Sequence, residues 1–310
     1  MYRFLYKIYF LRLKNEFIDS LYLRIVVRCA NILLPAYFNF TRGNKKFQLT
    51  DMGKSSEEKI IVSLTSFPAR IKKVWLTIES LLRQNVKPDA IILWLYEGEF
   101  DGEASLPLNL IKLKERGLQI RFCHENLMPH NKYYYTILEN PHANVVTIDD
   151  DIVYPYDHIE KLLEYHGRYP TAICCPVTRQ IKFSDGEIMP YCAWRHIMTN
   201  TAPDFLNLTM GVGGALFPVG SLHPDAFNKE NLIKFALCTD DLWLKIMSLR
   251  SGTKVASLAG EYPRFFIPII HKNNKKLMDD NIGGGGNDRV FRLLMEHYNV
   301  NISNFINSGT

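Results

Sequence analysis

The sequence predicts an α/β domain with a largely parallel central sheet, flanking helices and a separate helical segment at its N-terminal end. Two observations carry this. Short Val/Ile-rich runs alternate with helical patterns between residues 59 and 148, the order expected of parallel strands joined by crossover helices. The runs are near-continuously apolar, as in strands covered on both faces. With 310 residues, 47% of them hydrophobic, the chain can build one large core.

Residues 1–45 are rich in Tyr, Phe, Leu and Ile. Arg3, Lys7, Arg12, Lys14, Arg24 and Arg28 lie among them, opposed only by Glu16 and Asp19. No apolar stretch reaches the ~20 residues that span a bilayer, and no compact apolar centre marks a cleavable signal. The segment reads as basic amphipathic helix with peripheral membrane contact through residues 1–40. Packing of that helix on the domain is the alternative. Residues 46–58 are polar and read as a linker. The main domain is expected over 59–300, in two halves, 59–155 and 156–300.

Within it, Lys59–Leu64 is the first strand, Ile71–Gln84 a helix with Val74, Ile78, Leu81 and Leu82 on one face, and Ala90–Leu95 the second strand. Gly117–Phe122 and Asn144–Ile148 follow as strands, with a helix opening at Lys132. Ala172–Cys175 and Phe265–Ile270 are strand-like, Leu208–Phe217 mixes strand character with glycines, and Asp240–Leu249 and Asp288–Tyr298 read as helices. The polar run 273–287, with four successive glycines, reads as a loop.

The net charge of +5 suits an anionic ligand or membrane surface. No long Lys/Arg run or aromatic-basic repeat points to nucleic acid. The six cysteines form no Cys-x-x-Cys pair, and Cys174 and Cys175 fall in an apolar run. Reduced thiols in a cytoplasmic protein are therefore expected. Asn-x-Ser/Thr triplets at Asn39, Asn207 and Asn301 carry little weight without a secretory signal.

Chemistry concentrates first at Asp149-Asp150-Asp151, directly after a buried strand. Successive side chains alternate in direction, so Asp149 and Asp151 can face one way and Asp150 the other. They stand at a strand's carboxyl end, where open α/β sheets bind ligands. A divalent cation would relieve the crowding of three carboxylates, and hard oxygen ligands suit Mg2+ or Mn2+. A solvated acidic turn is the competing reading.

Second is Thr239-Asp240-Asp241, where a helix starts. Thr239 or Asp240 could cap it. Alternatively, Asp241 or Asp240 is a general base. Third, Gly211-Val-Gly-Gly-Ala-Leu-Phe-Pro218 offers Gly213 and Gly214 as a backbone surface against which a substrate could rest, or simply a tight turn. Fourth, His271 precedes Lys272, Lys275 and Lys276, and could join a metal while the lysines meet a diphosphate. Finally, Ser63–Arg70, with Thr65, Phe67 and Arg70, ends the first strand, and Lys132 opens a helix. Both are candidate contacts for a phosphate or base.

Taken in series, Ile61–Arg70, Asn131-Lys132, Val146–Pro155, Gly213–Pro218 and Thr239–Trp243 resemble a bacterial branch of the GT-A glycosyltransferases, near the family-2-like enzymes of surface polysaccharide assembly. The resemblance covers residues 59 to about 250. It departs from the pattern at Pro129-His130-Asn131, where relatives often have Gly-Pro, and at Thr239, where an acid is usual.

It implies a GT-A fold, with 59–155 as the nucleotide-sugar half and 156–300 as the acceptor half. It implies an Asp-x-Asp motif in which Asp149 and Asp151 hold Mn2+ or Mg2+; His271 lies beyond the resemblance and is a candidate further ligand on its chemistry alone. Thr65, Phe67, Arg70, Lys132, Asp149 and Asp150 would meet a nucleotide-sugar donor, a UDP-sugar being favoured. Gly213, Gly214 and Trp243 would meet a glycan or lipid-linked acceptor, and Asp241 or Asp240 would be the base of an inverting transfer. A cytoplasmic enzyme of polysaccharide or lipopolysaccharide synthesis, peripheral at the inner face of the membrane, is the expectation. The alternatives are a nucleotidyltransferase of similar fold and a non-catalytic membrane-associated scaffold.

Overall fold

The structure is a computed structural model that describes residues 1–49, 58–271 and 285–305. Residues 50–57 of the expected linker and 272–284, with Lys272, Lys275, Lys276 and the first two of the four successive glycines, lie outside the described residues.

Eight strands form one sheet: β1 (Lys59–Thr65), β2 (Ala90–Tyr96), β3 (Leu118–Cys123), β4 (Ala143–Thr147), β5 (Ile173–Cys175), β6 (Asn200–Asp204), β7 (Ala215–Phe217) and β8 (Val255–Leu258). Their order is β6-β8-β5-β7-β4-β1-β2-β3. The half made of β4, β1, β2 and β3 is wholly parallel, and β8 runs parallel to β5. Only β7 and β6 run against the rest. With helices on both faces, this is an α/β fold with a largely parallel sheet, consistent with a GT-A-like architecture.

Two-faced burial explains the apolar runs. Ile60, Val62 and Leu64 of β1 enter one core cluster and Ile61 another, and β2 divides the same way. Helix α3 (Val74–Leu82) lies between the sheet and α2 (Glu16–Thr41), so all nine of its residues are buried. On the opposite face, α4 (Asn131–Glu139) is tied down by Thr136, whose hydroxyl meets Ser63 Oγ at 2.6 Å and Trp94 Nε1 at 2.7 Å. Helices α5 (His158–Arg168), α6 (Lys229–Ala236), α7 (Asp240–Arg250) and α8 (Gly286–His297) complete the layers.

Helix α1 (Tyr2–Phe10) is part of the main core. Tyr2, Leu5, Tyr6 and Tyr9 are buried there. Their hydroxyls form a ladder: Tyr2 donates to the carbonyl of Tyr154, Tyr6 to that of Val153, and Tyr9 to that of Phe266 at 3.0 Å. The packing alternative thus describes α1, while α2 leaves one face in solvent. No helix among the described residues is long and apolar enough to cross a membrane.

Two strand expectations shrink. Of Phe265–Ile270 only Ile267–Pro268 pairs, against Ile152–Val153. Pro268 has no N–H for a ladder, and side chains from the N-terminal helices claim nearby carbonyls, Tyr9 that of Phe266 and Asn31 that of Pro268. Leu208–Phe217 splits into Asn207–Thr209 and β7 around a turn at Gly211–Gly213.

Two histidines are wholly buried. His158 faces the Tyr262 hydroxyl at 3.0 Å, and His130 bridges Tyr133 and the Ala236 carbonyl. Burial pushes His158 down to about 3 and His130 down to about 4. Unfolded, both take a proton near pH 6.5. The unfolded chain therefore binds more protons as pH falls from 6.5 toward 4, and stability drops across that window. Each histidine contributes up to about 1.4 kcal/mol per pH unit. Urea unfolding of His158→Gln is expected to show a shallower loss between pH 6.5 and 4 than the parent. An unchanged slope removes this origin of acid lability.

Candidate active site

The acidic triplet leaves β4 at the sheet's carboxyl edge. Asp150 turns inward and is 5% exposed. It accepts from Ser66 Oγ at 2.6 Å and from Arg70 at 2.7 Å. Asp149 and Asp151 keep 26% and 31% of their side-chain surface open. Each spends an oxygen on a cation, Asp149 on Lys132 at 3.0 Å and Asp151 on Arg70 at 3.0 Å. The Arg70 fork thus spans Asp150 and Asp151, and its guanidinium lies 5.3 Å from the Phe67 ring. Burial and the neighbouring Asp149 push Asp151 up to about 6. Burial also raises Asp150, although Arg70 opposes it.

The second acidic pair meets the first through Lys132. Its ammonium lies 3.0 Å from Asp149 and 3.0 Å from Asp240, with only 6% of the side chain exposed. Burial would lower its pKa, but Asp149, Asp240 and Asp241 outweigh burial and hold it well above the usual lysine range. Lys132 stays charged and is fully engaged by carboxylates.

Asp240 and Asp241 stand in the first turn of α7; Thr239 occupies the cap position without a side-chain capping bond, its hydroxyl turning back to the Ala236 carbonyl. Asp241 Oδ1 instead accepts the backbone N–H of Gly211 at 2.8 Å. The two neighbours differ in proton affinity. Burial favours the neutral form of Asp240, but Lys132 and His130 prevail and hold it below the usual range. Burial and the charge of Asp240 push Asp241 well above it. Environments that drive two carboxyls apart in this way mark acid–base division of labour.

Gly211 belongs to this centre. A Cβ there would lie 3.0 Å from Lys132 Nζ and 3.3 Å from Asp241 Oδ1. The sequence offers Gly213 and Gly214 of the same run as a substrate surface. Both are buried, a Cβ at Gly213 would strike Val177 at 2.6 Å, and Gly214 serves a turn at φ +74°. Trp243, the further acceptor candidate, is 0% exposed and donates to the Ala226 carbonyl at 3.2 Å. Thr65 is half-buried with its hydroxyl on the Trp94 carbonyl, whereas Phe67 is exposed beside Arg70. Besides Gly211, the chain's chemical pattern gave no signal for Tyr154, whose hydroxyl accepts the Asp149 N–H at 3.1 Å.

Five carboxylates here (Asp149, Asp150, Asp151, Asp240, Asp241) face two cations, Arg70 and Lys132. The excess negative charge suits a divalent cation. No ready-made cage of three or more His, Cys, Asp or Glu exists among the described residues. The chemistry of the individual side chains nevertheless suits such an ion. Asp149 and Asp151 offer hard oxygens, and His271 has a buried Nε2 that finds no hydrogen-bond partner among the described residues. Burial and the Arg70 and Lys73 charges push His271 down to about 4, leaving a neutral imidazole able to ligate.

No protein-family model matches the chain, and no curated protein does. Solved structures give distant likenesses. Residues 1–349 of TarS from S. aureus share 12% identity at a TM-score of 0.43, over 67% of this chain and 59% of that one. The mannosyltransferase PcManGT from Pyrobaculum calidifontis, in complex with GDP-Man and Mn2+, shares 12% identity at 0.43, over 75% and 64%. The 4-diphosphocytidyl-2C-methyl-D-erythritol synthase from Anaerococcus prevotii shares 15% at 0.45, over 71% and 95%. The chain thus spans less than two thirds of the first two structures. All three are remote, and the assignments below rest on the site itself.

Proposed function

We propose that this chain is a metal-dependent glycosyltransferase that moves a sugar from a nucleoside-diphosphate donor, a UDP-sugar being favoured, to a glycan or lipid-linked acceptor with inversion. One observation carries the reading. Two acidic motifs some ninety residues apart in the sequence meet at a single buried lysine, Lys132, which lies 3.0 Å from both Asp149 and Asp240.

Asp149, Asp151 and His271 would hold the cation, which when bound acts as a Lewis acid on the diphosphate. Arg70 and Phe67 line the approach to it and meet the donor. Asp150 positions Arg70. Asp241 accepts the proton of the acceptor hydroxyl as that oxygen bonds to the anomeric carbon and the anomeric bond to the diphosphate oxygen breaks. Asp240 and Lys132 keep the charges around Asp241 in place. Surface polysaccharide or lipopolysaccharide synthesis at the cytoplasmic face of the membrane, with the N-terminal helices on the bilayer, accords with this chemistry.

The test is donor turnover by the purified chain. Nucleotide-sugar hydrolysis is expected to require Mn2+ or Mg2+, and donor plus Mn2+ should raise the thermal midpoint by mass action. Asp151→Ala should abolish both effects. If no nucleotide sugar binds or is hydrolysed, and Asp151→Ala behaves as the parent, the reading is wrong. Release of pyrophosphate from a nucleoside triphosphate would instead indicate a nucleotidyltransferase.

A further inference from the structure

Helix α2 is apolar on two sides. Val26, Ala30, Leu34 and Phe38, spaced by four, pack into the core. On the far side, Ile18, Leu21, Ile25, Ile32 and Phe40 lie in solvent, Ile32 at 72% and Phe40 at 91% exposure. Through Cys29 and Ala36, also exposed, they are linked by steps of three and four residues, so they form one continuous stripe along the helix. Exposed Arg24, Arg28 and Arg42 border it, and no acidic residue occurs between Ser20 and Arg42.

An outward apolar stripe bordered by exposed arginines, with acids only in the first turn and one of these, Asp19, paired with Arg264, matches an anionic bilayer surface, where apolar side chains sink to the acyl boundary and guanidinium groups meet headgroups. The helix is too polar to span. Its inner face is firmly held: Arg83 stacks over Phe38 at 4.7 Å and donates to Thr41 Oγ1, while Asn31 donates to the Pro268 carbonyl and accepts the Ile270 N–H at 2.8 Å. The strip it holds leads to His271, and the Ile269 N–H bonds the Asp151 carbonyl at 2.7 Å.

We infer that α2 docks the protein flat on an anionic membrane through the Ile18–Phe40 stripe, and thereby fixes the acidic centre at a set height above the lipid. This sharpens the membrane contact proposed above and rests on that part of the reading. It confines the contact to α2 and removes the buried face of α1 from it. The chemistry assigned to Asp149 and Asp241 is independent of it.

The experiment is co-sedimentation of the full chain with vesicles of phosphatidylcholine alone and of equimolar phosphatidylcholine and phosphatidylglycerol. The parent is expected to bind the anionic vesicles, less so at high salt. Ile25→Glu with Ile32→Glu should lower partition at least tenfold, as about 1.4 kcal/mol of lost burial already gives tenfold. Arg24→Gln with Arg28→Gln keeps the stripe and should remove the preference for anionic vesicles. Thermal midpoint and donor hydrolysis in vesicle-free buffer should match the parent in both variants. A parent that stays in the supernatant, or stripe variants that bind as well as the parent, overturns the inference. So does a parent that sediments as a dimer without vesicles and becomes monomeric in the Ile25/Ile32 variant, which would make the stripe a contact between copies of this chain. Loss of hydrolysis in the parent, with vesicle binding intact, would count against the transferase reading alone.

Discussion

Asp241→Asn is expected to lower sugar transfer by about 10²–10⁴-fold, the usual contribution of a positioned general base, with little change in donor affinity. The amide oxygen can still accept the Gly211 N–H that holds Asp241 Oδ1 at 2.8 Å, so the local geometry survives while the proton acceptor is lost. Asp240→Asn is the informative comparison. Asp240 is tied to Lys132 and held in its ionised form. Its loss should disturb the lysine and the thermal midpoint more than the chemical step. Single-turnover rates, measured beside donor dissociation constants, separate the two residues. An active Asp241→Asn beside an inactive Asp240→Asn would exchange their roles.

Lys132→Met is expected to destabilise the protein by about 3 kcal/mol, the lower end of the loss when one partner of a buried ion pair is removed. The lower end applies because Asp149 and Asp240 retain some solvent, 26% and 14% of their side-chain surface. Removing Lys132 leaves Asp149, Asp240 and Asp241 crowded without their shared counter-charge. Mn2+ should recover part of that loss and raise the midpoint of Lys132→Met more than that of the parent. Calorimetry with and without the ion reads both effects. An unchanged midpoint would mean that Lys132 contributes nothing to holding the carboxylates together.

The sheet was legible because its strands are buried on both faces, so β1, β2 and β4 stand out as near-continuous apolar runs. The acidic triplet was legible because three carboxylates after such a run have few structural uses. What could not be read was decided by contacts distant in sequence. That Lys132 would be consumed by carboxylates depends on α4 and α7 meeting, which no local pattern encodes. Choosing among Gly211, Gly213 and Gly214 needs the position of Val177 and of the lysine head, not the glycine spacing. Trp243 follows the acidic pair in the chain but sits on the core side of α7, because the helix turns its side chain toward Ala226. Helix α1 was ambiguous for a different reason. Tyrosines serve equally at a bilayer interface and in a core where their hydroxyls find carbonyls.

That tyrosine ladder has a bearing on how the protein is made. Tyr2, Tyr6 and Tyr9 leave the ribosome well before their hydrogen-bond acceptors, which lie 152, 147 and 257 residues further along the chain. Helix α1 therefore lacks its full docking site until Tyr154 and then Phe266 have been synthesised. Its aromatic face stays uncovered during translation, the period when unburied apolar surface invites misassembly. Contacts of such long sequence separation close late and slowly. Seating of α1 against the Ile152–Val153 strand is then a late event of folding, and chaperone dependence is expected to concentrate on that step.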